Sequence, residues 1–211
     1  MTDFEAIFSR TPVMAILRGY AADRAVELAR TAWDLGIVCV EVPVQSQETV
    51  QSLVAVVAAA EGRDVIVGAG TVTTSDRVES SRTAGAQFTV APGFNVTVAE
   101  ASVAAGMPHL PGVATPTEVE QALAHGHTWL KAFPASILTP AWIKAMAGPF
   151  PEARFVCTGG IDSRNAQAFL DAGARAVALG SALESPEQLP ALAKLIGGTG
   201  RPATAAESIT P

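Results

Sequence analysis

The sequence predicts a single-domain α/β protein, a (β/α)8 barrel of the TIM type, and three observations predict it. A short apolar run followed by a helix-like stretch recurs eight times along the 211 residues. The apolar runs lack strict polar alternation, the pattern of parallel strands covered on both faces. The first strand is followed by Arg18-Gly19-Tyr20, not by a glycine-rich dinucleotide turn, which removes the main signature of a doubly wound open sheet. The length agrees, because such barrels often run about 200–250 residues as one domain.

Each element has its own local reason. Residues 2–10 read as a short opening helix with Phe4, Ile7 and Phe8 on one face, stopped by Pro12. Strand one, 13–19, leads to a helix over 22–35, with Asp23 as its cap and Gly36 at its end. Strand two, 37–43, precedes a helix over 47–60 whose N-cap is Ser46. Strand three is 64–70, and its helix, 75–84, ends at Gly85. Strand four, 87–91, is followed by a helix over 96–105. Strand five, 108–112, leads through Thr115-Pro116 to a helix over 117–124. Strand six is 128–133 with a helix over 140–147, and strand seven is 154–158 with a helix over 164–172. Strand eight, 176–179, and a helix over 186–196 complete the set. Residues 1–196 therefore form the barrel domain. Residues 197–211, rich in Gly, Thr, Ala, Ser and Pro, read as a disordered, flexible tail.

Composition narrows the function. The chain is 49% apolar and 16% charged, which favours a large core. A net charge of −6 without a basic patch argues against a nucleic-acid partner. No apolar stretch is long enough to span a membrane, and residues 1–10 do not read as a secretory signal. Cys39 and Cys157 sit far apart in apolar strands and read as buried thiols of a reducing compartment, so a cytoplasmic location is expected. His109, His125 and His127 cluster near the fifth unit, but His125 and His127 read as an exposed helix end, so no metal is expected.

The active site of such a barrel lies at the C-terminal strand ends. Three charges are embedded there in apolar strands: Arg18 on strand one, Glu41 on strand two and Lys131 on strand six. Lys144 and Lys194, the only other lysines, fall on helical patterns. A buried ammonium loses hydration, and the lysine it leaves is a nucleophile towards carbonyl carbon. The alternative is a strand-end lysine whose head reaches water. Period two lets Glu41 and Lys131 point inward while Val40, Val42, Leu130 and Ala132 pack against helices. Three buried charges facing one another can satisfy each other; an ion pair without chemistry is the competing reading. Glycines gather at strands seven and eight, as Thr158-Gly159-Gly160 and Gly180-Ser181. There they can cradle phosphate on backbone N–H groups, or simply make tight turns.

At these residues the chain resembles the 2-keto-3-deoxy-6-phosphogluconate aldolase family, class I aldolases of the (β/α)8 fold. The matching pieces are Ile16-Leu17-Arg18-Gly19, Val40-Glu41-Val42, Gly68-Ala69-Gly70-Thr71-Val72, Ala91-Pro92-Gly93, Leu110-Pro111-Gly112, Leu130-Lys131-Ala132-Phe133-Pro134-Ala135 and Thr158-Gly159-Gly160-Ile161. The resemblance implies Lys131 as Schiff-base lysine and Glu41 as general acid/base. It implies Arg18, Thr71 and Pro92 at the pyruvate end, and Gly159, Gly160, Gly180 and Ser181 at the phosphate. It further implies a homotrimer, no cofactor, and a phosphorylated keto-acid substrate cleaved to pyruvate and glyceraldehyde 3-phosphate. Pro43-Val44-Gln45-Ser46 and Ala114-Thr115 lean to the phosphogalactonate branch, whereas Thr158-Gly159-Gly160 leans to the phosphogluconate branch. Gln45 stands where the phosphogluconate branch carries an arginine, which leaves Arg18 as the carboxylate candidate. A 4-hydroxy-2-oxoglutarate aldolase and a non-catalytic phosphosugar-binding barrel are the alternatives.

Overall fold

The structure, a computed structural model, describes residues 3–185 and 187–197. Its elements in order are α1 (Phe4–Arg10), β1 (Val13–Ile16), α2 (Ala22–Asp34), β2 (Cys39–Pro43), α3 (Gln47–Ala59), β3 (Ile66–Gly70), α4 (Ser75–Thr83), β4 (Thr89–Val90) and α5 (Val96–Ala104). They continue with β5 (His109–Leu110), β6 (Gly112–Val113), α6 (Pro116–Ala124), β7 (Trp129–Ala132), α7 (Ala135–Ala147), β8 (Arg154–Thr158), α8 (Ala166–Asp171), β9 (Ala176–Leu179), a 3-10 turn (Ser181–Glu184) and α9 (Leu189–Gly197). The expected tail begins one residue early, since Gly197 ends α9; residues 198–211 lie outside the described residues.

All strand pairs are parallel, in the order β5-β4-β3-β2-β1-β9-β8-β7-β6. The two ends of this order are consecutive in the chain, so the sheet curls into a barrel. The fifth predicted strand is split into β5 and β6 at Pro111. Proline has no N–H to give to a ladder. Its carbonyl still accepts from the Lys131 amide at 2.8 Å and closes the wall between β5 and β7.

Helix starts follow their side chains. Ser46 caps α3 with a capping box through Thr49, and Thr115 caps α6 with Glu118 in the same way. Asp23 is not the cap expected for α2: Ala21 occupies the N-cap, and Asp23 lies in the first turn, where it complements the helix dipole. α7 begins five residues earlier than the expected 140, and Thr139, forced out of helical geometry ahead of Pro140, breaks it.

Two apolar layers result. Val40, Val42, Leu130 and Ala132 face the helices. Met14, Ile16, Cys39, Phe88, Leu110, Trp129 and Val156 fill the interior. α1 plugs the N-terminal mouth: Phe8 stacks on Trp129 at 5.2 Å and Phe4 meets Phe88 edge-on at 5.7 Å. Two residues further along their strands, Cys39 gives way to Glu41 and Trp129 to Lys131. Period two thus carries the interior face from an apolar floor to a charged layer. Cys39 and Cys157 are free and buried, and burial pushes the Cys157 thiol up to about 12.

His109 also belongs to the core. Ser102 Oγ donates to the Met107 carbonyl at 3.0 Å, Thr89 Oγ1 lies 2.5 Å from Ser102 Oγ, and His109 Nδ1 lies 2.7 Å from Thr89 Oγ1. With the Ser102 proton committed, Thr89 must donate to Ser102, and His109 Nδ1–H must donate to Thr89. Burial, aided by His127, pulls His109 from 6.5 down to about 3. The unfolded chain therefore takes up this proton first as pH falls. The stability held by the neutral imidazole is complete above about pH 6.5 and is lost on the way to about pH 3. We expect this group to remove about 2 kcal/mol between about pH 7 and about pH 5. Urea midpoints at the two pH values check it, and His109→Asn, which keeps a donor for Thr89, should lose that share.

Candidate active site

Lys131 on β7 is 1% exposed, in register with Gly112 on β6 and Val156 on β8. Burial holds its ammonium below the ordinary lysine range. Glu41 pulls the other way, and Arg18 adds to the lowering. The Phe133 ring sits beneath Nζ, 5.0 Å from its centroid. Glu41 on β2 is 0% exposed and in register with Ile16 on β1 and Gly68 on β3. Its carboxylate lies against Gly70, where an added Cβ would stand 1.8 Å from Oε1. Only glycine leaves that room. Both carboxylate oxygens are buried and accept no hydrogen bond from any described residue.

This corrects one expectation. Arg18, Glu41 and Lys131 do not satisfy one another. β1 ends at Ile16, the Leu17 amide makes one more bond to the Glu41 carbonyl at 2.9 Å, and the chain then leaves the ladder. Arg18 is thus exposed on the loop, where it donates to Gln45 Oε1 at 3.2 Å. It acts on Lys131 only at longer range.

The remaining predicted residues follow the ends of neighbouring strands. Thr71 follows β3 with φ of 57°, a strained value for a β-branched residue. Pro92 follows β4 and crosses close to Gly112, the register partner of Lys131: a Gly112 Cβ would lie 2.2 Å from the Pro92 carbonyl. Gly159 and Gly160 follow β8 with φ of 94° and 75°. Gly159 borders the Phe133 ring and Gly160 borders Ser136, so a side chain at either would be strained, and one at Gly160 would also clash. Gly180 passes beside the Ile16 carbonyl, and exposed Ser181 opens the 3-10 turn.

Two neighbours had no sequence signal of their own. Phe133 was legible within an apolar run and the matching piece over residues 130–135, but was not named as a site residue. Arg77 on α4 read as an ordinary helix residue, yet it reaches Thr71, Thr73 and Gln45. The histidines face elsewhere: His109, His125 and His127 line a groove of about 520 Å³ beside α5 whose walls include neither Lys131 nor Glu41.

A buried amine whose ammonium is disfavoured, in the same interior layer as a buried carboxylate with no described hydrogen-bond donor, at the C-terminal mouth of a (β/α)8 barrel, equips a protein for Schiff-base chemistry on a carbonyl substrate. The chain belongs to the KDPG and KHG aldolase family, whose profile matches residues 4–194. It is 38% identical over 189 residues to the 2-dehydro-3-deoxy-phosphogluconate aldolase of Treponema pallidum, covering 89% of this chain and 88% of that one. It is 36% identical over 176 residues to the 2-dehydro-3-deoxy-6-phosphogalactonate aldolase of Escherichia coli K12, covering 83% and 85%. Among solved structures, the KDPG aldolase of Legionella pneumophila, with pyruvate captured as a covalent carbinolamine, superposes with a TM-score of 0.80 at 28% identity over 92% of this chain and 96% of that one.

Proposed function

We propose that the protein is a class I aldolase, a carbon–carbon lyase that cleaves a 2-keto-3-deoxy-6-phospho-aldonate to pyruvate and glyceraldehyde 3-phosphate. The observation that carries the reading is the fully buried Lys131 with its ammonium disfavoured, in the same interior layer as Glu41. The neutral amine attacks the C2 carbonyl and forms a carbinolamine, which loses water to an iminium. The C4 hydroxyl gives its proton to Glu41, directly or through water. The C3–C4 electron pair then moves into the iminium, releasing the aldehyde and leaving an enamine. Glu41 returns the proton to C3, and water frees pyruvate and the amine. Arg18, Thr71 and Pro92 form the pyruvate end. The backbone of Gly159, Gly160 and Gly180, with the Ser181 hydroxyl, receives the phosphate. The active form is a cytoplasmic homotrimer whose catalytic domain runs through Gly197, the last residue of α9.

Both C4 epimers fit this chemistry, and each has its residues: Pro43-Val44-Gln45-Ser46 and Ala114-Thr115 lean to the galactonate type and Thr158-Gly159-Gly160 to the gluconate type. Assaying both epimers beside 4-hydroxy-2-oxoglutarate tests the reading. We expect at least one phosphorylated epimer to exceed the unphosphorylated acid in kcat/KM by about tenfold or more, the scale of a lost charged contact. Equal activity on all three would remove the phosphate assignment, and activity on none would return the protein to a binding role. Sedimentation velocity tests the trimer.

A further inference from the structure

Arg77 occupies the third position of α4, behind its N-cap Thr74. A cation there opposes the positive end of the helix dipole, so helix stability does not explain it. Its guanidinium contacts do. Nη1 donates to the Thr71 carbonyl at 3.2 Å and to Thr73 Oγ1 at 2.6 Å, and Nη2 reaches the Gln45 carbonyl at 3.5 Å. These acceptors belong to two neighbouring strand-end loops, after β2 and after β3. One of them, Thr71, holds the strained left-handed backbone. The other loop carries Gln45, whose side-chain oxygen is taken by Arg18. Because guanidinium nitrogens only donate, that bond fixes which end of the Gln45 amide faces Arg18. Its Nε2 is left turned away from Arg18.

We propose that Arg77 is a positioning residue for the reaction, tying the left-handed Thr71 to the Gln45 loop and so setting the pyruvate-carboxylate end of the site. The inference rests on the aldolase reading. A planar fork suits the task, because one guanidinium can hold acceptors on two loops in fixed relative positions, whereas an ammonium offers three donors without a fixed fork. The carboxylate does not change during C–C cleavage. An error in its seat weakens ground state and transition state alike, and therefore raises KM with kcat largely kept.

The test uses full-length protein and the pyruvate concentration that half-saturates borohydride trapping, together with KM and kcat for the preferred epimer. Arg77→Met is expected to raise both the half-saturating concentration and KM about tenfold, with kcat within about threefold of the parent. Arg77→Lys should recover part of the loss. Thr73→Val, which removes the 2.6 Å acceptor and leaves α4 capped, should raise KM about threefold. Unchanged KM in Arg77→Met overturns the inference, whatever its Tm, and so does a kcat loss at constant KM. Should Arg77→Met fail to fold, unchanged KM in Thr73→Val overturns it instead. A parent protein that forms no pyruvate adduct would bring down the aldolase reading and this inference together, whereas a normal parent with unshifted variants brings down the inference alone.

Discussion

Lys131→Met is expected to abolish the pyruvate adduct trapped by borohydride and to lower kcat by about 10⁴-fold or more, the scale on which enzymes lose a covalent nucleophile. Methionine is close to lysine in length and volume, so the interior between Trp129 and the mouth stays filled. Folding should survive for a second reason. The folded chain holds the Lys131 proton less tightly than the unfolded chain, so the lysine contributes less stability as pH falls below its ordinary value of 10.5. Removing it does not remove a stabilising charge at neutral pH. Peptide mass mapping of the reduced adduct on parent protein should place it on Lys131 and not on Lys144 or Lys194, which are exposed on helices. An adduct of undiminished yield in Lys131→Met would sink the Schiff-base assignment.

Glu41→Gln should keep the fold and cut turnover by roughly 10²-fold or more, the usual contribution of a positioned acid–base group. The exchange preserves shape against Gly70 and removes the negative charge together with the capacity to take and return a proton. Pyruvate should still form its adduct, while exchange of the pyruvate methyl hydrogens with deuterated water should slow with turnover, because both require protonation at C3. Loss of fold in Glu41→Gln would instead make the carboxylate a structural group. The absence of any described hydrogen-bond donor to Glu41 argues against that alternative, since a buried carboxylate serving stability alone is ordinarily bonded.

The fold was legible because burial on both faces writes itself into each strand. Even the charged layer could be read. Glu41 lies two residues beyond Cys39 and Lys131 two beyond Trp129, and alternation alone sends all four inward. Arg18 was misplaced because that alternation applies only while a strand lasts. The first apolar run continues through Leu17, but the ladder of β1 stops at Ile16.

By itself, then, the sequence determined the barrel, the inward direction of Lys131 and Glu41, and the glycine turns after β8 and β9. All of these follow from patterns local to one strand and its loop. The tertiary structure decided what local patterns do not contain. It broke the fifth strand at Pro111 and used the bare carbonyl to close the wall through Lys131. It gave Glu41 its room against Gly70 and set Phe133 beneath the amine. It also turned Arg18 to Gln45 across 27 positions and Arg77 to Gln45 across 32. Those contacts join loops that become neighbours only when parallel strands are laid side by side, and no spacing within one segment encodes them.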